Sequence, residues 1–342
     1  MGAAADDSVL HVLWAPRGSG GHSEDATRSA GCPLAGPGAP GTGNYSRCTT
    51  RSPSMTTEVL IIMRCFNDEW VVGDTLEAIH QQAGPRFRVV AIDSGSTDRS
   101  VDIIRSFPVQ LIELPPGTYI PGRVLNLGME QGDEPYGVFV NSDCTPQHPE
   151  WLESLIEPLH RDPTVAAVYG RQVARPEATP LVVKDYERAF GDGSIAATWP
   201  HFFSMASSAI RRSVWHDSPF DPEIRYSEDV YWTWQRRREG WNIAYAAQSV
   251  AMHSHNYTLA ETRRRFAGEG RADAVIYPRE MLPSSWLRGV LGSWAAEVTR
   301  DWAWCLEHRH PLAAAAAPAI RWAQRSSYWQ GLSEALRETT GA

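Results

Sequence analysis

The chain has 342 residues, 42% apolar and 21% charged, the profile of a soluble globular protein long enough for one or two domains. A formal net charge of −8 excludes the broad basic footprint of a general nucleic-acid binder, although short clusters such as Arg236-Arg237-Arg238 and Arg263-Arg264-Arg265 remain available to a local anion. No apolar run reaches the ~18 residues of a membrane span, and five scattered cysteines without metal-knuckle or disulfide spacing fit a reducing cytoplasm.

Residues 1–55 are rich in Gly, Pro, Ser and Ala and lack apolar periodicity. They read as a disordered extension, and Met55 in "MTTEVLIIM" has the look of a natural start. From there strands alternate with helices: strand 59–64, helix 73–83, strand 87–93, helix 97–106, strand 109–114, helix 122–132, strand 136–143. The strands are continuous apolar runs, which suits strands covered on both faces. The alternation predicts an α/β domain over 56–275 with a mainly parallel central sheet flanked by helices.

A helix over 149–160 and strands over 164–172 and 201–210 follow. Over 227–240, Ser227 at the N-cap, acids in the first turn, arginines in the last and Gly240 beyond mark a helix. Short strands at 241–247 and 249–255 and a helix over 257–271 come next. The remainder, 276–342, reads as a helical C-terminal region. Its tryptophans, among them Trp286, Trp302 and Trp322, suit a core, an acceptor wall, a dimer face or a shallow peripheral contact with a membrane.

Open α/β sheets bind ligands at the carboxyl ends of their strands. There this chain places Arg64, Cys65, Phe66, Asn67 and Asp68 after the first strand. Asp93, Ser94, Gly95, Ser96 and Thr97 follow the second, and Asn141, Ser142 and Asp143 the fourth. A carboxylate at the end of a buried strand costs free energy unless a partner meets it, which points to a ligand at Asp143. Each motif has a plainer reading. "DSGSTD" is also ordinary turn chemistry, acids at 228 and 229 also suit a helix dipole, and His253 and His255, two apart on one strand face, are metal ligands or a solvated pair.

The order of the motifs carries more than any one of them. "AIDSGSTDRSVDII", "GRVLNLG", "SDCTPQHPEWLESL", "VAAVYGRQ", "FFSMASSAIRRSVW", "SEDVYWTW" and "MHSHNYT" with "RRRFAGEG" together resemble the family 2 glycosyltransferases of GT-A fold, and most nearly their rhamnosyltransferase-like branch, over about residues 57–272. The resemblance implies a metal-dependent inverting transferase. It would move one sugar, rhamnose or another deoxyhexose, from a nucleotide-diphosphate sugar to a hydroxyl of a glycan, lipid-linked glycan or secondary metabolite.

It also implies roles for residues. Phe66 stacks on the donor base and Asp93 hydrogen-bonds it, with Asn67, Ser94, Arg123, Asn126 and Ser142 completing the donor site. Many relatives carry a second acid where Ser94 stands. Asn141-Ser142-Asp143 replaces the family's D-x-D, leaving Asp143 as the metal ligand with His253, and next His255, beside it. Mn²⁺ or Mg²⁺ is the implied ion, and imidazole favours Mn²⁺. Asp229 is the implied base, with Glu228 beside it. "QRRREGW" does not keep the Q-x-x-R-W spacing of processive relatives, so one sugar is expected per turnover. The chief alternative is a catalytically degenerate sugar-nucleotide-binding or scaffold subunit. A nucleotidyltransferase would need a glycine-rich loop after the first strand, where "IMRCFNDEW" has none.

Overall fold

The computed structural model describes residues 58–340; the extension expected at 1–55 lies outside the described residues. The first half alternates as its apolar runs dictate. Strand β1 (Val59–Cys65) leads to helix α1 (Val72–His80), then β2 (Phe87–Asp93), α2 (Ser100–Arg105), β3 (Gln110–Glu113), α3 (Pro121–Met129) and β4 (Tyr136–Asn141). Next come β5 (Thr145–Pro146), α4 (Trp151–Arg161), β6 (Val165–Val173), α5 (Pro180–Ala189), β7 (Ser207–Arg211), α6 (Arg212–Asp217), α7 (Glu228–Arg238), β8 (Asn242–Met252) and α8 (Leu259–Ile276). A π-helical turn, Leu287–Gly292, leads into α9 (Ser293–Glu307), and α10 (Pro311–Thr340) follows. Among the described residues no helix is long and apolar enough to cross a membrane.

One sheet holds all eight strands in the order β3-β2-β1-β4-β7-β6-β8-β5. β1 to β4 run parallel, β7 lies antiparallel between β4 and β6, and β6 pairs parallel with β8. The sheet is thus mixed, with its parallel half where the sequence alternates most regularly. Successive residues of β1 point to opposite faces. Leu60 and Ile62 join Val124, Leu125 and Met129 of α3 on one side. Val59, Ile61 and Met63 join Val72, Leu76 and Ile79 of α1 and Leu155 of α4 on the other. Gly128 lets α3 lie directly on Ile62, where a Cβ would collide with the isoleucine methyl.

Three expectations are corrected. The strand expected over 201–210 starts only at Ser207; before it, Phe202, Phe203 and Met205 leave the ladder and pack into the core. The two strands expected at 241–247 and 249–255 are one, β8, with an irregular register opposite Gly170 and Arg171. Ser227 precedes α7 but makes no side-chain cap; its backbone is left-handed (φ 57°), a conformation costing a non-glycine residue about 1–3 kcal/mol.

Two-residue β5, missed in the sequence, has the largest consequence. It pairs antiparallel with β8, Thr145 opposite Met252 and Pro146 opposite Ala251. Carried two rungs back along the ladder, that register brings Asp143 beside the segment His253-Ser254-His255.

Candidate active site

Register assembles the site. Cys65 stands beside Asp93 and Arg64 beside Asn141 on neighbouring parallel strands, so the polar ends of β1, β2 and β4 open on one edge of the sheet. Arg64, buried, spans two of the expected residues: Nη2 donates to Asn141 Oδ1 (2.8 Å), and Nη1 lies 3.5 Å from Glu228 Oε1.

Asp143 is 3% exposed. His255 Nε2 lies 3.1 Å and His253 Nε2 3.5 Å from its two oxygens. Burial opposes its charge, yet the two imidazoles and the Arg175 guanidinium hold the carboxyl well below the usual carboxylate range. One carboxylate oxygen and two imidazole nitrogens lie within 4.8 Å of one another, a donor set that suits a divalent cation.

The tautomer of His253 can be assigned from its neighbours. Gln172 Nε2 donates to Ser204 Oγ (2.8 Å), so Gln172 Oε1 faces His253 Nδ1 (2.8 Å) and Nδ1 carries the proton. Nε2 is therefore the nitrogen that faces Asp143 and can exchange a proton for an ion, the orientation that a hydrogen-bond acceptor behind the ring gives to metal-binding histidines. These residues therefore fit a metal ion.

Other candidates are committed more locally. Asp93 is 2% exposed; Oδ2 accepts from the backbone N–H of Gly95 and of Ser96 (both 2.9 Å), and Oδ1 from the Ser96 hydroxyl (2.5 Å). It shapes its own turn, in which Gly95 adopts φ +89°. Asn67 knits two strand-end loops together: its N–H donates to Ser96 Oγ (2.9 Å) and its Oδ1 accepts from Thr97 N–H (2.8 Å). Ser94 is buried, donating its backbone N–H to Cys65 O (2.9 Å). Phe66 is half-buried at the end of β1.

Asp229 is fully buried, and Oδ2 accepts from Met205 N–H (3.0 Å) and Oδ1 from Val230 N–H (2.7 Å). The irregular segment before β7 thus meets the start of α7 at this carboxylate.

Arg123 and Asn126 make their contacts to the 215–223 segment. Arg123 is exposed and pairs with Glu223 (2.8 Å). Asn126 Oδ1 accepts from Trp215 Nε1 (2.9 Å) and Phe220 N–H (3.0 Å), while Nδ2 donates to Phe220 O (2.8 Å). Cys144 lies buried in the core cluster on the α1 and α4 side.

Sequence reasoning left three residues without a role. Asp68 accepts a hydrogen bond from the Ser142 hydroxyl; burial, and next the charge of Asp143, push its carboxyl up to about 6. It restores a second acid near the place where the D-x-D pattern lost one. Arg175 donates to the carbonyl of Asp143 and stacks 4.6 Å over the ring of Trp70, itself 56% exposed. Gln172 sets the His253 tautomer. Asp68 and Gln172 are polar residues at or just past strand ends, the signal that marked Asp143. Arg175 lies two residues beyond β6 and carries no pattern of its own.

Comparison with known proteins agrees with this geometry. Residues 60–217 match the Glycosyl transferase family 2 model. The chain is 27% identical over 225 residues to the O-antigen chain rhamnosyltransferase RfbN of Salmonella typhimurium, covering 62% of this chain and 71% of the relative. It is 27% identical over 214 residues to the O-antigen chain rhamnosyltransferase WbaN of Salmonella anatum, covering 59% and 66%, so the chain spans just under two thirds of that relative. In fold it is similar to a mannosyltransferase, PcManGT from Pyrobaculum calidifontis, solved with GDP-Man and Mn²⁺ (TM-score 0.57, 19% identity, 83% and 88% of the two chains). Three strand ends converge on one edge of the sheet and the family 2 match runs across all of them, so over this half the chain is similar to the family 2 glycosyltransferases, two O-antigen rhamnosyltransferases among them.

Proposed function

We propose that this chain is a family 2 glycosyltransferase that moves one sugar, rhamnosyl or a related hexosyl, from a nucleotide-diphosphate donor to an acceptor hydroxyl with inversion at the anomeric carbon. The observation that carries the reading is Asp143 facing His253 Nε2 and His255 Nε2 at the edge where β1, β2 and β4 end. These three side chains would hold Mn²⁺ or Mg²⁺, imidazole favouring the softer Mn²⁺. When bound, the ion offsets negative charge on the departing diphosphate.

The protein's own groups do the rest. Phe66 offers a ring to the donor base beside the turn shaped by Asp93. Arg175, held by the carbonyl of Asp143 and the ring of Trp70, adds fixed positive charge next to the diphosphate. Asp229, oriented by the backbone amides of Met205 and Val230, accepts the proton of the acceptor hydroxyl as its oxygen attacks the anomeric carbon. Glu228, paired with Arg64, fixes the start of α7 against β1. A purely scaffolding role is not favoured, because the acid, both imidazoles and their orienting glutamine are all in place.

The test is a thermal-shift panel of nucleotide sugars with and without Mn²⁺, followed by assay of donor hydrolysis. A ligand at 100 times its Kd stabilises the folded state by about 2.7 kcal/mol. The matching donor should raise the melting temperature only with metal, and Asp143→Ala should abolish that increment. If no sugar nucleotide stabilises the protein or is cleaved in the presence of metal, the reading fails.

A further inference from the structure

Next to the candidate metal centre lies a second cavity, of about 190 Å³. Its wall is shared by α5 (Leu181, Val182), the segment after β8 (His255, Tyr257) and α10 (Ile320, Gln324). At ~30 Å³ per water in the liquid, it holds about six waters, the scale of one sugar ring. His255 joins the two sites: its Nε2 meets Asp143, while its ring stacks on Tyr257 (centroids 5.5 Å apart, planes at 29°). Arg265 steadies Tyr257 in turn, with Nη1 donating to the phenol oxygen (3.1 Å).

The charges in the lining of this cavity are already paired. Among the described residues, Arg321 is the one basic residue in its lining apart from His255, and all five of its N–H groups are spent. Nε donates to Asp301 Oδ2 (2.7 Å), Nη1 to Asp185 Oδ2 (2.8 Å) and Gln324 Oε1 (3.0 Å), and Nη2 to Asp185 Oδ1 and Asp301 Oδ1 (both 2.9 Å). Asp185, also in the lining, has both oxygens held by the same guanidinium. The cavity therefore offers no spare charge for an anionic ligand. It offers an aromatic plane at Tyr257, aliphatic walls at Leu181, Val182 and Ile320, and short-range polar groups such as the Gln324 amide and the Thr262 hydroxyl.

We propose that this cavity seats the acceptor, and that the acceptor is a neutral pyranoside rather than a phosphorylated or otherwise anionic molecule. The apolar face of the ring lies against Tyr257, and its hydroxyl edge meets the polar groups. The helical C-terminal region is then part of the substrate site, because α10 supplies Ile320 and Gln324 to its wall. This rests on the reading of the chain as a sugar transferase.

The test is saturation-transfer NMR on the full chain with Mn²⁺. The probes are the p-nitrophenyl pyranosides of rhamnose, mannose, glucose and galactose, with 3-phosphoglycerate as the anionic probe. At least one neutral pyranoside should bind, and 3-phosphoglycerate at the same concentration should not. Ile320→Trp and Val182→Trp, which fill the cavity from opposite walls, should each weaken pyranoside binding tenfold or more, read on whichever variant keeps the wild-type circular dichroism spectrum. The proposal is overturned if no pyranoside binds, if 3-phosphoglycerate binds and is displaced by the filling substitutions, or if pyranoside binding survives them. Donor hydrolysis by the wild-type protein is measured in the same preparation. Hydrolysis without pyranoside binding removes the acceptor proposal alone, whereas absence of hydrolysis with every donor removes the transferase reading beneath it.

Discussion

Two regions of this molecule bury carboxylates, with opposite consequences. At the edge of the sheet Asp143 faces two imidazoles, which are neutral or charged according to their protons and can share the acid with a cation. Where α5 meets α9 and α10, Asp185, Asp301 and Glu297 face guanidinium and ammonium groups that keep their charge across the neutral range: Arg321, Arg325 and Lys184. Both sets are almost wholly excluded from water. Burial of an acid alone therefore says little about function. The partner decides, because a bidentate guanidinium closes the site whereas an imidazole leaves room for a ligand.

If that contrast holds, neutralising an acid at the sheet edge should cost activity, and freeing one in the helical region should cost stability. The largest effect is expected from Asp229→Asn. Removal of a general base typically lowers rate ~10²–10⁴-fold, so transfer should collapse by that factor while donor affinity stays within about twofold of wild type. Parallel measurement of turnover and of donor binding by calorimetry checks this. Transfer at the wild-type rate would remove Asp229 from the mechanism.

In the helical region the matching substitution is Arg321→Met. It leaves Asp185 and Asp301 with Lys184 alone, 3.8 and 2.5 Å away, in place of two bidentate contacts, and breaking a buried ion pair from one side costs about 3–5 kcal/mol. The urea midpoint should fall accordingly. Replacing Arg321, Asp185, Asp301 and Lys184 together by apolar residues should recover most of the loss, because the charges that depend on one another are then removed as a set. An Arg321→Met protein as stable as wild type would mean that water reaches this cluster.

Acid offers a third comparison. Burial works against the charge of Glu297, but Arg325, Arg300 and Arg321 pull its carboxyl down from 4.5 to about 2. The native state then holds fewer protons than the unfolded state between those values. The contribution of this group is complete above pH 4.5 and is lost as pH falls toward 2. At ~1.4 kcal/mol per unit, it is on the order of 3 kcal/mol. Equilibrium unfolding from pH 6 down to pH 2 should show the loss, and Glu297→Gln should flatten the acid limb while lowering stability at neutral pH.

The same contrast explains what the sequence disclosed. The sheet half was legible because an apolar run flanked by polar turns carries a periodic signal, so β1 to β4 and their polar ends could be placed from residues alone. Asp143 stood out for the same reason, being an acid where a strand runs out. The helical region gave little, because its organising contacts join Asp185 to Arg321 and Glu297 to Arg325 across long sequence separations, and pairing between distant charges has no period. Two-residue β5 was invisible for want of length, although it aligns Asp143 with the histidines. The contacts of Arg123 and Asn126 with the 215–223 segment could not be read either, because a motif shared with a family does not state what each of its residues touches. The left-handed backbone of Ser227, directly before Glu228 and Asp229, also has no signature in the residue type.

The smallest effect, and the one that tests the sheet-edge half of the contrast most directly, is expected at Gln172, which is buried behind His253. Its Oε1 accepts from His253 Nδ1 (2.8 Å) and so leaves the opposite nitrogen aimed at Asp143, where an ion can take the place of a proton. Gln172→Leu removes that acceptor, lets the imidazole change tautomer and leaves its N–H buried without a partner. Loss of such an orienting group typically lowers metal affinity 10–100-fold. Calorimetric titration with Mn²⁺ should show that drop for Gln172→Leu. Gln172→Glu, which still accepts from Nδ1 and makes the imidazole a stronger donor, should bind Mn²⁺ at least as tightly as wild type. A leucine variant with wild-type Mn²⁺ affinity would show that the ion is held without His253. Equal weakening in both variants would show that residue 172 acts through packing, not through the proton it fixes.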